Sequence, residues 1–314
     1  MDKARKIFKK IPIVTWFIIL MVIVFSFLSD QYLTTRNLRI LLQQGSVLVV
    51  VSAAATFVII SGGIDLSLGG ILTASGVVAA ICINAGVPIP LVILIGGVSG
   101  FVFGSINGVL ISYCGLPPFI TTLGTQGIFY AFALIMTNKV GITVSSESFA
   151  KLGGVVNNIP MAAVCCLIIY IFAIIVQDRT KLGRYLYAIG GNNEGARLSG
   201  VNTKFWKWMV YSFAGFLVGL GSVILVSRLQ VADPIVGQKW EFEAIAATIL
   251  GGTSFNIGKG DVKGTFIGVA LLTVMRSGLN VIRVQSIWQP AIIGVVIILA
   301  IVFQIVVSSK EMKK

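Results

Sequence analysis

The sequence predicts an all-α protein that crosses a membrane about ten times. Of its 314 residues, 56% are hydrophobic and 11% are charged, and the mean hydropathy is +0.98. Polar residues are therefore too few to cover a soluble globule of this size. The apolar residues form repeated runs of about 18 to 25 residues, each long enough to cross ~30 Å of hydrocarbon as a helix. We expect a single transmembrane domain over residues 1–314.

Ten apolar runs are the candidate spans. They lie near residues 11–28, 38–61, 68–85, 88–113, 117–138, 160–177, 208–229, 243–256, 264–282 and 288–307. The first run follows a basic segment, but it is too long for a signal peptide and no small-residue cleavage site follows it. The eighth run is short and contains Gly251 and Gly252. This predicts a broken or re-entrant helix, since bare backbone at that depth must be sheltered by protein or face water.

The net charge of +13 predicts the topology of the chain, because the basic residues lie beside the apolar runs and not on one soluble face. With the N-terminus inside, most of the 24 basic residues fall in inside segments. The sequence thus predicts that both termini and the polar loop 178–207 are cytoplasmic. The same distribution argues against a nucleic-acid partner.

Several kinds of chemistry are excluded. The chain has no histidine, which removes Ser-His catalysis and the HExxH zinc site. Its four cysteines lie in or beside apolar runs, where a thiol behaves as a small hydrophobe. The segment from Gly252 to Gly260 fails as a nucleotide-binding loop, because five residues separate Gly252 and Gly258 and Gly260 stands where Ser or Thr would bind magnesium. We expect a non-catalytic chain without metal or cofactor.

The loop 178–207 contains the segment NNEGARLSG, which reads as a short helix. Asn192 or Asn193 can cap its N-terminus, Glu194 favours its first turn, and Gly200 suits its C-terminal cap. From the residues alone, two interpretations are equal: a solvated surface turn, or a knob onto which a cytoplasmic partner docks.

Two glycine-rich segments resemble each other. SGGIDLSLGG at 61–70 aligns without gaps with LGGTSFNIGK at 250–259, which pairs the glycines Gly62 and Gly63 with Gly251 and Gly252. Shared composition explains the likeness as well as an internal duplication does. A duplication would place the two broken segments at equivalent positions, where transport pathways tend to lie.

Two acidic residues are candidates for intramembrane positions, which are costly for carboxylates. Asp65 follows a break and is expected to cap the next helix through backbone N–H groups. Glu243 opens the eighth span and is expected at the water interface.

Four motifs in order resemble one transporter family. SGGIDLSLGG, GLPPFITTLGT, TKLGRYLYAIGGNNEGARLSGVN and EFEAIAATILGGTSFNIGKGDVKGTFIGV are similar to segments of the permeases of ribose, galactose, xylose and autoinducer-2 type ABC importers. The likeness runs from about Asn37 to the last span.

The resemblance implies a permease in the bacterial plasma membrane that carries a monosaccharide or sugar-like solute inward. Its implied partners are two ABC ATPase subunits, an extracytoplasmic sugar-binding protein, a second permease subunit and membrane lipid. It also implies that the loop after the sixth span docks into the ATPase, through Gly190, Asn192, Glu194, Ala196, Ser199 and Gly200.

Polar residues on spans two, four and five are candidates for the wall of the pathway, although each could equally be an interhelical hydrogen-bond partner. They are Gln44, Asn107, Thr121, Thr122, Gln126 and Tyr130. The main alternative function is an ion-coupled secondary sugar transporter, which would need a deep carboxylate and no docking loop. A membrane-embedded enzyme or scaffold is disfavoured by the missing histidines.

Overall fold

The computed structural model describes residues 13–255 and 258–311, and over these ranges the chain is an all-α bundle with four two-residue strands. The basic residues Lys3, Arg5, Lys6, Lys9 and Lys10 lie outside the described residues, as do Lys313 and Lys314. Asn256 and Ile257, at the end of the predicted eighth span, lie outside them too.

Ten of the described helices correspond to the ten predicted runs. These are α1 (Ile13–Leu28), α2 (Thr35–Ile60), α3 (Leu68–Asn84), α4 (Ile89–Ser112), α5 (Pro118–Met136), α7 (Met161–Arg179), α10 (Thr203–Leu229), α11 (Trp240–Leu250), α12 (Val262–Val281) and α13 (Gln289–Glu311). Shorter elements lie between them: β1 (Ile142–Thr143), α6 (Glu147–Gly153), β2 (Val155–Val156), β3 (Ile159–Pro160), α8 (Lys181–Gly191), α9 (Asn193–Leu198) and β4 (Val231–Ala232).

Within the described ranges, six helices are long and apolar enough to cross a membrane: α2, α4, α5, α7, α10 and α12. The multi-pass helical membrane fold is thereby confirmed. The apolar parts of α1, α3 and α13 are shorter, and α11 has 11 residues. The count of ten crossings and the placement of both termini in the cytoplasm stay predictions.

The predicted loop 178–207 is mostly helical, which corrects the sequence interpretation. Leu182, Leu186 and Ile189 are buried on one side of α8, although Arg184 and the flanking Lys181 hide them from a search for apolar runs. α10 begins at Thr203, five residues before the predicted start, because the Asn202 side chain accepts a hydrogen bond from the Phe205 N–H at 3.1 Å.

The two ends of the bundle can be told apart by these short elements. We call the end that carries α8 and α9 the docking face. At the opposite face, β1 and β4 pair antiparallel, with Ile142 opposite Ala232. The side chain of Asn84, at the end of α3, donates to the Thr143 carbonyl there at 2.9 Å.

The centre of the bundle consists of α2 and α10. Every residue of α2 from Ser46 to Ile60 is buried, and α10 is buried over most of its length. α10 packs against α4 backbone to backbone: a Cβ atom at Gly100 would overlap the carbonyl oxygen of Gly215, and one at Gly219 would overlap that of Gly96. Small residues permit this approach, which brings van der Waals contacts that lipid cannot supply.

We predict that Gly100→Ala lowers the free energy of unfolding in detergent by about 1–3 kcal/mol, because the added methyl group has no free volume between α4 and α10. The measurement is an apparent unfolding transition by SDS titration. Gly124→Ala on α5 is the matched control, since a Cβ atom there meets no described atom within 4 Å. Equal effects of the two substitutions would contradict tight packing at this seam.

Candidate functional site

The predicted helix NNEGARLSG is present as α9, with a cap at each end. Asn192 precedes it, and its side-chain oxygen accepts from the Gly195 N–H at 2.8 Å. At the C-terminal end Gly200 has φ +84°, and the N–H groups of Gly200 and Val201 donate to Arg197 and Ala196 at 3.0 and 3.1 Å. This is the Schellman arrangement, in which a left-handed glycine ends the helix.

The outer surface of α9 is both charged and apolar. Glu194 and Arg197 form an exposed ion pair at 2.5 Å, and Ser199 donates to the Gly195 carbonyl. The hydrogen bond from Arg197 lowers the pKa of the Glu194 carboxyl below its ordinary value. Leu198 is 75% exposed, whereas Ala196 is buried. A protruding leucine beside an ion pair suits a protein interface.

At the docking face, α8 packs against the end of α2 and against the loop after α11. Gly190 packs against the Ile60 carbonyl, where α2 ends, and a Cβ atom at position 190 would overlap that oxygen. Gly258, in the loop after α11, packs against the Gly191 N–H and the Tyr187 carbonyl. The Tyr187 hydroxyl donates to the Gly260 carbonyl at 2.8 Å. α8 therefore contacts the end of α2 and the loop that follows α11.

These two helix ends have the same backbone structure. Gly62 has φ +81° and donates to Ile59 at 3.0 Å, while Gly63 donates to Val58 at 3.0 Å. At the end of α11, Gly252 has φ +92° and donates to Ile249 at 2.9 Å, while Thr253 donates to Thr248 at 3.2 Å. Both ends are Schellman motifs. This structural equivalence pairs Gly62 with Gly252, whereas the gapless sequence alignment pairs Gly62 with Gly251.

The other two motif glycines lie in close contacts. A Cβ atom at Gly63 would overlap the Tyr211 hydroxyl, and one at Gly251 would meet the backbone of Gly264. Just above these ends, three threonine hydroxyls join α2, α11 and α12: Thr56 lies 3.3 Å from Thr248 and 2.7 Å from Thr265. The two glycine-ended helices are therefore joined by polar contacts inside the bundle.

Asp65 lies in the segment between α2 and α3, as the sequence predicted, and is 2% exposed. Its Oδ1 accepts from the N–H and the hydroxyl of Ser67, the residue before α3, at 2.8 and 2.6 Å. Asn107 donates to the Ser67 hydroxyl at 2.6 Å and accepts from Thr125 at 2.6 Å. The network fixes the start of α3 to α4 and α5.

Three predicted pathway residues are engaged in hydrogen bonds within the bundle. Asn107 belongs to the Asp65 network, Thr122 accepts from the Leu66 N–H at 3.1 Å, and Thr121 donates to the Pro117 carbonyl of its own helix. Gln44 lies in the first half of α2. Its neighbour Gly45 packs against Thr273 of α12. The pathway role of these residues stays a prediction.

The remaining two pathway candidates share an open cavity of about 320 Å³. It lies between α5 and the chain leading into α11, and it is lined by Leu123, Gln126, Gly127, Tyr130, Gln238, Lys239 and Glu241. Gln126 donates to Glu241 Oε1 at 2.7 Å, which joins α5 to the first turn of α11.

Glu241 is a residue that the sequence analysis missed. The predicted eighth span began at 243, whereas α11 begins at Trp240, so both acids lie in its first turn. Glu241 is 2% exposed, while Glu243 is half-buried and pairs with Arg276 of α12 at 2.5 Å. The deeper acid is therefore Glu241. Acids in the first turn of a short apolar helix were the available signal, because the helix N-terminus favours negative charge.

α11 is a half-length helix entered deep within the bundle. Its 11 residues span about 16 Å, roughly half of the hydrocarbon thickness. The chain reaches it from β4 at the opposite face through Gly237, which packs against the Gly69 carbonyl near the start of α3. The Gly237 N–H donates to the Thr73 hydroxyl at 3.0 Å. Non-helical backbone is thus sheltered by protein, as membrane depth requires.

Over 13–255 and 258–311, no group of three or more His, Cys, Asp or Glu side chains could hold a metal ion. That the chain binds no cofactor stays a prediction.

Comparisons with known proteins find matches over most of the chain. A family model described as "Branched-chain amino acid transport system / permease component" matches residues 37–301. The D-allose transport system permease protein AlsC of Escherichia coli K12 is 38% identical over 298 residues, 94% of this chain and 91% of that protein. The ribose import permease protein RbsC of Bacillus subtilis 168 is 38% identical over 285 residues, 90% of this chain and 88% of that protein.

A third relative is the probable ABC transporter permease protein y4mJ of Sinorhizobium fredii NGR234, 30% identical over 90% of this chain and 86% of that protein. No solved structure matches the chain. Since the family model matches most of the chain and the relatives align over nearly their whole length, the chain belongs to this family of permease components of transport systems.

Proposed function

We propose that the chain is the membrane-spanning permease subunit of an ATP-binding cassette importer that carries a monosaccharide or sugar-like solute into a bacterial cell. Permease proteins for ribose and allose align over nearly their whole length with it, and this observation carries the proposal. The chain itself is not an enzyme, and a separate subunit hydrolyses ATP. The multi-pass bundle lies in the plasma membrane.

The proposed assembly places the docking face in the cytoplasm, with ten crossings and both termini on that side. Two ATPase subunits contact α8 and α9 of two permease subunits, and a sugar-binding protein delivers the solute at the opposite face. The exposed surface of α9 supports the first contact, because it presents Leu198 and an ion pair on a capped helix. The coupling segment is residues 178–207, within a single transmembrane domain.

The proposed mechanism follows from what α8 contacts. ATP binding closes the two ATPase subunits and moves the helices docked on them. Because Gly190 packs on the end of α2 and Gly191 on the loop after α11, this motion reaches both glycine-ended helices. α11 in turn borders the cavity beside α5. A displacement of α11 relative to α5 would change which side of the membrane the cavity faces.

The alternative, an ion-coupled carrier, gains one observation from the structure, since Glu241 is a buried acid. The relatives favour the importer, because two are named sugar transport or import permeases and a third is named an ABC transporter permease.

We predict that proteoliposomes accumulate D-ribose or D-allose only when this chain is reconstituted with its ATPase, its binding protein and internal ATP. The measurement is uptake of tritiated sugar. The control is the chain alone under an imposed proton or sodium gradient. Accumulation in that control would defeat the importer proposal in favour of the carrier.

We predict that Glu194→Lys and Gly200→Pro each reduce uptake per ATP hydrolysed about tenfold, equivalent to about 1.4 kcal/mol, while membrane insertion is preserved. The first reverses a charge in the docking helix, and the second removes an N–H and cannot adopt φ +84°. ATPase co-purification and coupled uptake are measured together.

The control is Glu147→Lys, an equal charge reversal at the start of α6, away from α8 and α9. It should retain the ATPase subunit as well as the unmodified chain does. If an impermeant thiol reagent labelled Ser199→Cys from the periplasmic side, α9 would lie outside the cytoplasm. This result would refute the proposed docking of the ATPase on α9.

We predict that a bulky cationic thiol reagent blocks transport by Gly127→Cys at least tenfold and leaves Gly124→Cys active, in a chain whose native cysteines are alanine. Both glycines lie on α5 with no described atom within 4 Å of an added Cβ, but Gly127 lines the cavity and Gly124 does not. If the reagent inhibited both variants equally, the cavity would not be part of the translocation pathway.

A further inference from the structure

The carboxylate of Glu241 is incompletely hydrogen-bonded. Its Oε1 accepts from Gln126 at 2.7 Å, but Oε2 is buried and receives no hydrogen bond of normal geometry from the described residues. Backbone N–H groups of Lys239 and Glu241 lie near the carboxylate at the N-terminus of α11. A buried oxygen without a donor is rare in native proteins and calls for a water molecule or a ligand.

A second incompletely bonded group lies beside it. The Tyr130 hydroxyl faces Glu241 and Thr73 but makes no well-formed hydrogen bond with the part of the chain that is described. The Thr73 hydroxyl is already engaged, since it donates to the Gly69 carbonyl at 2.9 Å and accepts from the Gly237 N–H at 3.0 Å. The Tyr130 hydroxyl is thus a second buried polar group beside Glu241 without a normal hydrogen bond in the described chain.

Gly69 packs tightly against both groups. A Cβ atom at position 69 would overlap Glu241 Oε2, the Tyr130 hydroxyl and the Gly237 carbonyl oxygen, so no other residue fits there without displacing them. Glu241 and Tyr130 also line the cavity, whose volume of about 320 Å³ is at the lower end of the range for small-ligand sites. Lys239 and Gln238 line its exposed side.

The donors and acceptors suit a polyol. A sugar offers adjacent hydroxyls that both donate and accept, a free carboxylate oxygen accepts two such bonds, and a phenol hydroxyl returns one. Gln126 donates one N–H to Glu241, so its second N–H and its carbonyl oxygen remain for further hydrogen bonds.

We propose that Glu241 is the hydroxyl-binding residue of a transient sugar subsite on the translocation pathway, which Tyr130 and Gln126 complete. The subsite rests on the proposed function, because it takes the transported solute to be a sugar. It adds to that function a residue on the permease that interacts directly with the solute.

The test uses the complete importer in proteoliposomes, with tritiated D-ribose and D-allose as probes. Glu241→Gln preserves the side-chain volume and can still accept from Gln126, but it replaces the free carboxylate oxygen with an amide. We expect uptake per ATP hydrolysed to fall about tenfold while ATP turnover stays within about twofold. Tyr130→Phe, which removes one hydroxyl, should lower the same ratio several-fold.

Glu243→Gln is the matched control, since it removes an acid from the same helical turn but pairs with Arg276 away from this cavity. Its ratio should equal that of the unmodified chain.

The outcomes separate the two proposals. If the unmodified importer takes up neither sugar with ATP, the proposed function fails and the subsite with it. If it transports sugar and Glu241→Gln has an unchanged ratio, the subsite alone is refuted. Parallel losses of ATP turnover and thermal stability in Glu241→Gln would make the residue structural and also refute it. A sodium or potassium dependence that Glu241→Gln abolishes would assign the site to a cation instead.

Discussion

Backbone hydrogen bonding inside the bundle is the constraint on which the structure depends. A chain in hydrocarbon must satisfy its N–H and C=O groups within the protein, and a helix end packed against protein must likewise find partners for the groups that it frees. α2 and α11 meet this requirement in the same way, with a left-handed glycine and two bonds that return to the last turn. The close contacts of Gly190 and Gly258 then join α8 to the end of α2 and to the loop that follows α11.

The sequence predicted the larger elements well because their signal is cumulative. A run of about twenty apolar residues identifies a span whatever its neighbours, and the observed helices begin and end within a few residues of most predictions. α8 was missed because only Leu182, Leu186 and Ile189 carry its burial, too few to raise the average hydropathy of a charged segment. The cap residues of α9 act locally, and Asn192 and Gly200 were therefore predictable.

The candidate site was less predictable, because its parts are distant in the chain and meet only through packing. Gln126 and Tyr130 were chosen as polar residues within a span, but their partner Glu241 follows 115 positions after Gln126. The predicted start at 243 left Glu241 outside the span, whereas α11 begins at Trp240 and Glu241 is the buried acid of its first turn. Asn107 and Thr122 had the same polarity as Gln126, and nothing local distinguished them from residues facing the cavity; their hydrogen bonds to the segment before α3 did so.

The glycine seam between α4 and α10 limits how the bundle can move. With the α carbons of one helix against the carbonyl oxygens of the other, neither helix can rotate or tilt without separating along the whole contact. These two helices therefore form an immobile frame. In the proposed mechanism the displacement therefore falls on elements outside this seam, among them the surface of α5 at Gly127, which lines the cavity and where an added Cβ atom would meet no described atom within 4 Å.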